Sequence, residues 1–209
     1  MERSRHHLLL AVILSVAFVA FSAIAAAGWT RGADLWVLGI MQEHPVRAFD
    51  DIGLFLSIAG SVPVSTLAML AVALTLRSRG RRQASGRLIL AFLATALVEV
   101  AMKTLLPQSP IEASAVRVAA PSLLMDFETP FPYPSGHVIR SVLALGALAS
   151  VYRRTIPKGL ILMLIALMAI SRIYVGAHWT SDVVGGLLLG TAALAWVFAG
   201  REVKEEGWR

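Results

Sequence analysis

Two histidines stand where a histidine could do chemistry. In "SRIYVGAHWTSD", Ser171 to Asp182, His178 and Asp182 are four residues apart. On a helix that spacing puts both on one face, about 6 Å apart. A carboxylate there accepts a hydrogen bond from one imidazole nitrogen and leaves the other as nucleophile or base. Arg172 lies at the end of the preceding apolar run, across a short turn. Its planar, permanently charged fork suits a phosphate group. In "FPYPSGHVIRSVLAL", Phe131 to Leu145, a loop rich in proline and aromatics passes into an apolar helix. Pro134 resists helix continuation from the loop, and Ser135 is placed as an N-cap. The helix N-terminus behind it offers free N–H groups to an anion. His137, in the first turn, is a natural general acid for a leaving oxygen. Arg140 follows three residues later, on roughly the same face. Two histidines and several cations around a helix N-terminus describe phosphoryl transfer without a metal. Metal ligation by His137, His178 and Asp182 competes with this reading, but the surrounding cations would repel a metal ion.

The elements that must position these residues are membrane helices. The chain has 209 residues, of which 57% are hydrophobic and only 15% charged, and its mean hydropathy is +0.72. A soluble domain of this length carries far more charge. Apolar segments recur at 8–28, 52–76, 88–106, 137–152, 156–172 and 183–200. Each is of the order a tilted helix needs to cross a bilayer, the fourth and fifth being short for lone spans. The expected architecture is all-α: one integral membrane domain, 1–209, of six transmembrane helices. The first apolar run is longer than an ordinary signal peptide's and is read as a retained span. There is no cysteine, which excludes disulfides and thiol catalysis.

The net charge of +6 would point to nucleic acid in a soluble protein; here its distribution sets topology instead. Thirteen of the 19 basic residues fall on one side: Arg3 and Arg5, then Arg77, Arg79, Arg81, Arg82 and Arg87, then Arg153, Arg154 and Lys158, then Arg201, Lys204 and Arg209. The opposite loops hold Asp34, Glu43, Asp50, Asp51, Glu112, Asp126, Glu128 and Asp182. Both termini are therefore expected in the cytoplasm, and the loops at 29–51, 107–136 and 173–182 outside. The arginine cluster at 77–87 could hold anionic headgroups, but a topology role suffices. Trp29, Trp36 and Trp179 are placed at the outer interface. The segment 33–42 reads as a short interfacial helix or as a packed loop. Three cations remain inside or at the ends of apolar helices: Lys103, Arg140 and Arg172. Charges there usually mark function.

Pro134-Ser135-Gly136-His137 and Ser171-Arg172…His178…Asp182 together resemble the type-2 phosphatidate phosphatase family, within the acid phosphatase and vanadium haloperoxidase superfamily. They match its P-S-G-H and S-R-x5-H-x3-D motifs at full spacing. The resemblance implies that His178 attacks phosphorus and forms a phosphohistidine, that Asp182 orients it, and that His137 protonates the leaving alcohol. It implies that Lys103, Ser135, Gly136 and Arg172 hold the phosphate oxygens, with no metal or other cofactor. The implied substrates are membrane lipid phosphates or polyprenyl diphosphates.

The family's first motif, K-x6-R-P, is broken. Lys103 is present in "KTLLPQSP", but seven residues on stands Pro110 in place of arginine. Arg140 could restore the lost charge from another helix. It could instead pair with Glu99, snorkel to the interface, or leave the task to Arg117. Glu99 and Lys103 are themselves four apart, in the favourable order for a helix pair. The function expected is an integral membrane lipid phosphatase with an outward-facing site. A lipid phosphotransferase and a non-catalytic lipid-phosphate binding or transport protein are the alternatives.

Overall fold

Among the described residues, eight α-helices follow one another along the chain. They are α1 (Glu2–Ala26), α2 (Arg31–Gln42), α3 (Arg47–Ala59), α4 (Val62–Ser78), α5 (Arg82–Leu105), α6 (Gly136–Val151), α7 (Lys158–Tyr174) and α8 (Thr180–Phe198). The structure is a computed structural model and describes residues 2–118, 129–152 and 155–200; the Arg3 side chain is not among the described groups. Arg153, Arg154, Arg201, Lys204, Arg209, Asp126 and Glu128 also lie outside the described residues. No strand occurs among those described.

Helices α1, α5 and α8 are each long and apolar enough to cross a membrane, and α3 with α4 makes a fourth span if the bent pair counts as one. The remaining two expected spans, α6 and α7, have 16 and 17 residues, the shortness read from the sequence. Large apolar side chains such as Leu67, Leu74, Leu93, Leu97 and Leu162 are exposed on the outside of the bundle. In water that would be a liability; in lipid it is the expected surface. Helix α8 packs against α1, α5 and α6 and touches α2 and α7. Its Gly186 and Gly190 lie against the backbone and side chains of Ser135, Val138, Ile139 and Val142, so α6 and α8 approach closely.

The second apolar segment departs from expectation. It is not one helix over 52–76 but two, α3 and α4, bent by 60°. The cause is local. Pro63 has no N–H to give to Ala59, and it begins α4 in the first-turn position that proline tolerates. Ser61 N–H turns back to Ile58 O at 3.2 Å, and the next helical bond runs from Ser65 to Ser61. The carbonyls of Ser57 and Gly60 are thereby left without helical partners.

The stretch 33–42 is helical, within α2. It buries Asp34 and Leu38 and exposes Leu35, Trp36 and Ile40. Trp29 and Trp36 are exposed, whereas Trp179 is buried, contrary to its placement at the interface. The reason is a specific partner: its indole N–H donates to Ser109 O at 2.7 Å, and the Arg31 guanidinium lies 4.4 Å over its ring. At the opposite end, Arg79 and Arg81 donate to the last carbonyls of α6, Val151 O and Ser150 O. They serve that helix C-terminus as well as any topology role.

Asp34 fastens the N-terminus of α8. Its two oxygens accept from Ser181 N–H and Ser181 O–H, both at 2.8 Å, and Gln108 Nε2 donates to the same hydroxyl at 2.8 Å. Asp34→Ala leaves these donors without their carboxylate. It is expected to cost roughly 1–3 kcal/mol, read as a lower thermal midpoint in detergent. An unchanged midpoint would show that α8 does not need this cap.

Candidate active site

The turn between α7 and α8 delivers His178. Gly176 adopts φ +72, a left-handed conformation that glycine takes without strain. The chain then doubles back so that Ala177 N–H and His178 N–H both donate to Arg172 O, at 3.0 and 3.1 Å. This C-terminal cap places His178 beside Arg172. One turn on, Asp182 sits at the third position of α8 and is fully buried. Its Oδ2 accepts from Trp179 N–H at 2.9 Å and from His178 Nδ1–H at 3.1 Å. A carboxylate held by a backbone N–H cannot wander, so the histidine's tautomer is fixed and Nε2 carries the lone pair. Burial first, then the charges of Lys103 and Arg172, hold the His178 imidazole well below the ordinary histidine value. The neutral ring is the nucleophilic form.

The loop of the second motif is tied to the third. Ser135 N–H donates to Asp182 O at 3.0 Å. Ser135 Oγ is completely buried and has no hydrogen-bond partner among the described residues. Tyr133, also buried, hydrogen bonds to Ser22 of α1 at 2.9 Å and stacks on Phe18. The His137 ring packs against Gly60, the residue after α3.

Glu99 joins the cations. One oxygen meets Lys103 Nζ at 3.0 Å, the other Arg140 Nη1 at 3.0 Å. The carboxylate lies directly against Gly136, the first residue of α6, so a β-carbon there would run into it. Gly136→Ala is therefore expected to displace Glu99 and the α6 N-terminus together and to lower phosphate release by about 10²-fold. Activity within a factor of two of wild type would rule that contact out as a constraint.

The bent segment supplies the other half of the frame. Three carbonyls along one side of α3 each accept from a side chain of the site: Gly53 O from Arg172 Nη2 at 2.9 Å, Ser57 O from His137 Nε2–H at 3.1 Å, and Gly60 O from Arg140 Nε at 3.3 Å. A helix C-terminus is the end that favours cations. The site thus lies between the negative end of α3 and the positive end of α6.

The structure gathers all the residues singled out in the sequence: Lys103, Ser135, Gly136, His137, Arg140, Arg172, His178 and Asp182. Arg140 has Glu99 as a partner, one of the readings left open. Arg117, another candidate for the missing charge, is committed elsewhere: its guanidinium forms two hydrogen bonds to Asp50, at 2.8 and 3.0 Å. Reasoning from the sequence missed Asp34, Tyr133 and the α3 carbonyls. A buried aspartate within an amphipathic helix was the only signal for the first. Main-chain acceptors carry no signal beyond the glycine and proline that break the helix.

Residues 107–205, which hold both complete motifs, match the model of the PAP2 superfamily. This part of the chain is similar to the PAP2 superfamily. The resemblance read from PSGH and SR…H…D is therefore correct. An undecaprenyl-diphosphatase of Sulfolobus acidocaldarius is 39% identical over 72 residues, covering 33% of each chain. The chain thus spans a third of the length of that relative. The crystal structure of a transmembrane PAP2 type phosphatidylglycerolphosphate phosphatase from Bacillus subtilis superposes with a TM-score of 0.67 at 18% identity, covering 90% of this chain and 93% of the other. That likeness establishes the fold alone, an all-helical transmembrane bundle that includes the part of the chain before residue 107.

Proposed function

We propose that the protein is an integral membrane lipid phosphatase that works through a phosphohistidine on His178, without a metal. The observation that carries this reading is the buried, tautomer-fixed His178–Asp182 pair set among Lys103, Arg140 and Arg172. A relative named for undecaprenyl diphosphate and a fold neighbour named for phosphatidylglycerolphosphate support a lipid phosphate or polyprenyl diphosphate as substrate. The arginine distribution supports cytoplasmic termini and a site on the outer face of the cell membrane.

In the first step the lone pair of His178 Nε2 forms a bond to phosphorus and the P–O bond to the lipid breaks. The leaving oxygen takes a proton from His137. Because His137 Nε2–H already donates to Ser57 O, the transferred proton is carried on Nδ1. Lys103, Arg140, Arg172, the α6 N-terminus and the unpartnered Ser135 hydroxyl hold the phosphoryl oxygens as charge develops. In the second step a water gives its proton to His137 and bonds to phosphorus. The N–P bond breaks, the pair returns to His178, and inorganic phosphate leaves.

The test is phosphate release by purified protein in detergent, with EDTA, against a panel of lipid monophosphates and diphosphates. Release unchanged by EDTA is the expected result. Loss of release on chelation, restored by a divalent cation, would replace the phosphohistidine route with a metal-assisted one.

A further inference from the structure

We propose that Glu99 is a stand-in anion, its carboxylate occupying the place of a substrate phosphate oxygen between Lys103, Arg140 and the start of α6. The inference rests on the phosphatase reading and adds a specificity-determining residue to it. Three observations carry it. Each carboxylate oxygen of Glu99 makes a 3.0 Å ion pair with a different cation of the site. The same carboxylate fills the space a β-carbon on Gly136 would take, at a helix N-terminus where anions bind. The hydroxyl of Ser135, the residue before Gly136, is buried without a partner among the described residues, as expected of a group whose acceptor comes with the substrate. A planar carboxylate offers two of the oxygens that a tetrahedral phosphate offers, at the same charge-assisted distances.

Two anions cannot share these donors, so a bound phosphate competes with Glu99. Room for the exchange lies alongside. A cavity of about 130 Å³ between α4, α5 and α6 is lined by both Glu99 and Arg140, with Val62, Phe92, Ala96 and Ile139 as apolar wall. The Glu99 carboxylate can turn toward it and keep one nitrogen of Arg140 as its partner, while Lys103, the rest of the Arg140 fork and the α6 N-terminus pass to phosphate. A site with three cations would otherwise hold inorganic phosphate tightly. An internal competitor lets the product leave.

The experiment measures inorganic phosphate binding to the full chain in detergent, by the phosphate-dependent shift in thermal midpoint, with lipid-phosphate turnover followed in parallel. Glu99→Gln keeps the shape and removes the charge. It is expected to bind phosphate at least about tenfold tighter than wild type, the scale of one buried charge contact. Glu99→Asp keeps the charge but is one methylene too short to fill the place, and it is also expected to bind tighter. Unchanged or weaker binding in Glu99→Gln overturns the proposal. So does Glu99→Asp at wild-type affinity beside a tightened Glu99→Gln, which would mean that charge acts there without occupancy. Wild-type turnover with no tightening removes the stand-in alone. No turnover and no phosphate binding in any form would remove the phosphatase reading with it.

Discussion

His178→Ala is expected to abolish phosphate release, with a loss of about 10⁴-fold or more, and to leave the folded bundle intact. The magnitude follows from the step removed. Without Nε2 no N–P bond forms, and only the binding and charge-stabilising groups remain; removing a nucleophile in an enzyme with such a relay costs on this scale. The fold should survive because His178 stands in a turn whose caps are main-chain bonds from residues 177 and 178 to Arg172 O, independent of the imidazole. A companion variant gives the positive signature. His137→Ala retains the nucleophile and loses the acid. With a substrate whose leaving group needs no proton, it should accumulate a covalent phosphoenzyme that is labile in acid, stable in base and absent from His178→Ala. If His137→Ala accumulates no phosphoenzyme and His178→Ala retains turnover, the covalent route is wrong.

Arg140→Leu is the second large effect, and it acts on stability and activity together. Arg140 is 7% exposed and bonds to Glu99 and to Gly60 O. Breaking a buried pair by removing one partner costs about 3–5 kcal/mol, and the lower figure is expected here because Glu99 keeps Lys103. Activity should fall by about 10²–10³-fold, as for one lost charge-stabilising donor. Adding Glu99→Gln separates the two roles. The double variant no longer buries a carboxylate without its arginine, so its thermal midpoint should recover toward wild type while phosphate release stays low. Recovery of both would make Arg140 a purely structural partner of Glu99. Full activity in Arg140→Leu alone would remove it from the phosphate site.

The parts of this site that were legible in the sequence are those set by short-range spacing. His178 and Asp182 are four apart, and they meet at 3.1 Å. Glu99 and Lys103 are four apart, and they meet at 3.0 Å. Proline, serine and glycine ahead of His137 marked a helix start, and α6 begins at Gly136. Apolar runs 8–28, 88–106 and 183–200 located the C-terminal ends of the long helices to within two residues, while α1 and α5 begin six residues earlier than expected. What was not legible depends on partners distant in the chain. Ser181 finds Asp34 from 147 residues away, and His137 finds Ser57 O from 80. Hydropathy also could not divide α3 from α4, since both halves are apolar and only Gly60 and Pro63 interrupt them. Trp179 looked like an interfacial residue because residue type alone cannot reveal a carbonyl waiting at Ser109.

The bend between α3 and α4 has a consequence for how this protein can change. Gly53, Ser57 and Gly60 hold two arginines and a histidine by oxygens that belong to no side chain. An alanine scan along α3 would not read these oxygens, since alanine has the same carbonyl; at Gly53 and Gly60 it would report instead the clash of a new β-carbon with Val175 and with the His137 ring. The other side of the helix, with Ile52, Phe55 and Ile58, is exposed. Those three positions can therefore drift with whatever lipids surround them while the grip on the site persists. What the lineage has to keep is a path of the chain, with the two glycines that let Val175 and His137 lie against it.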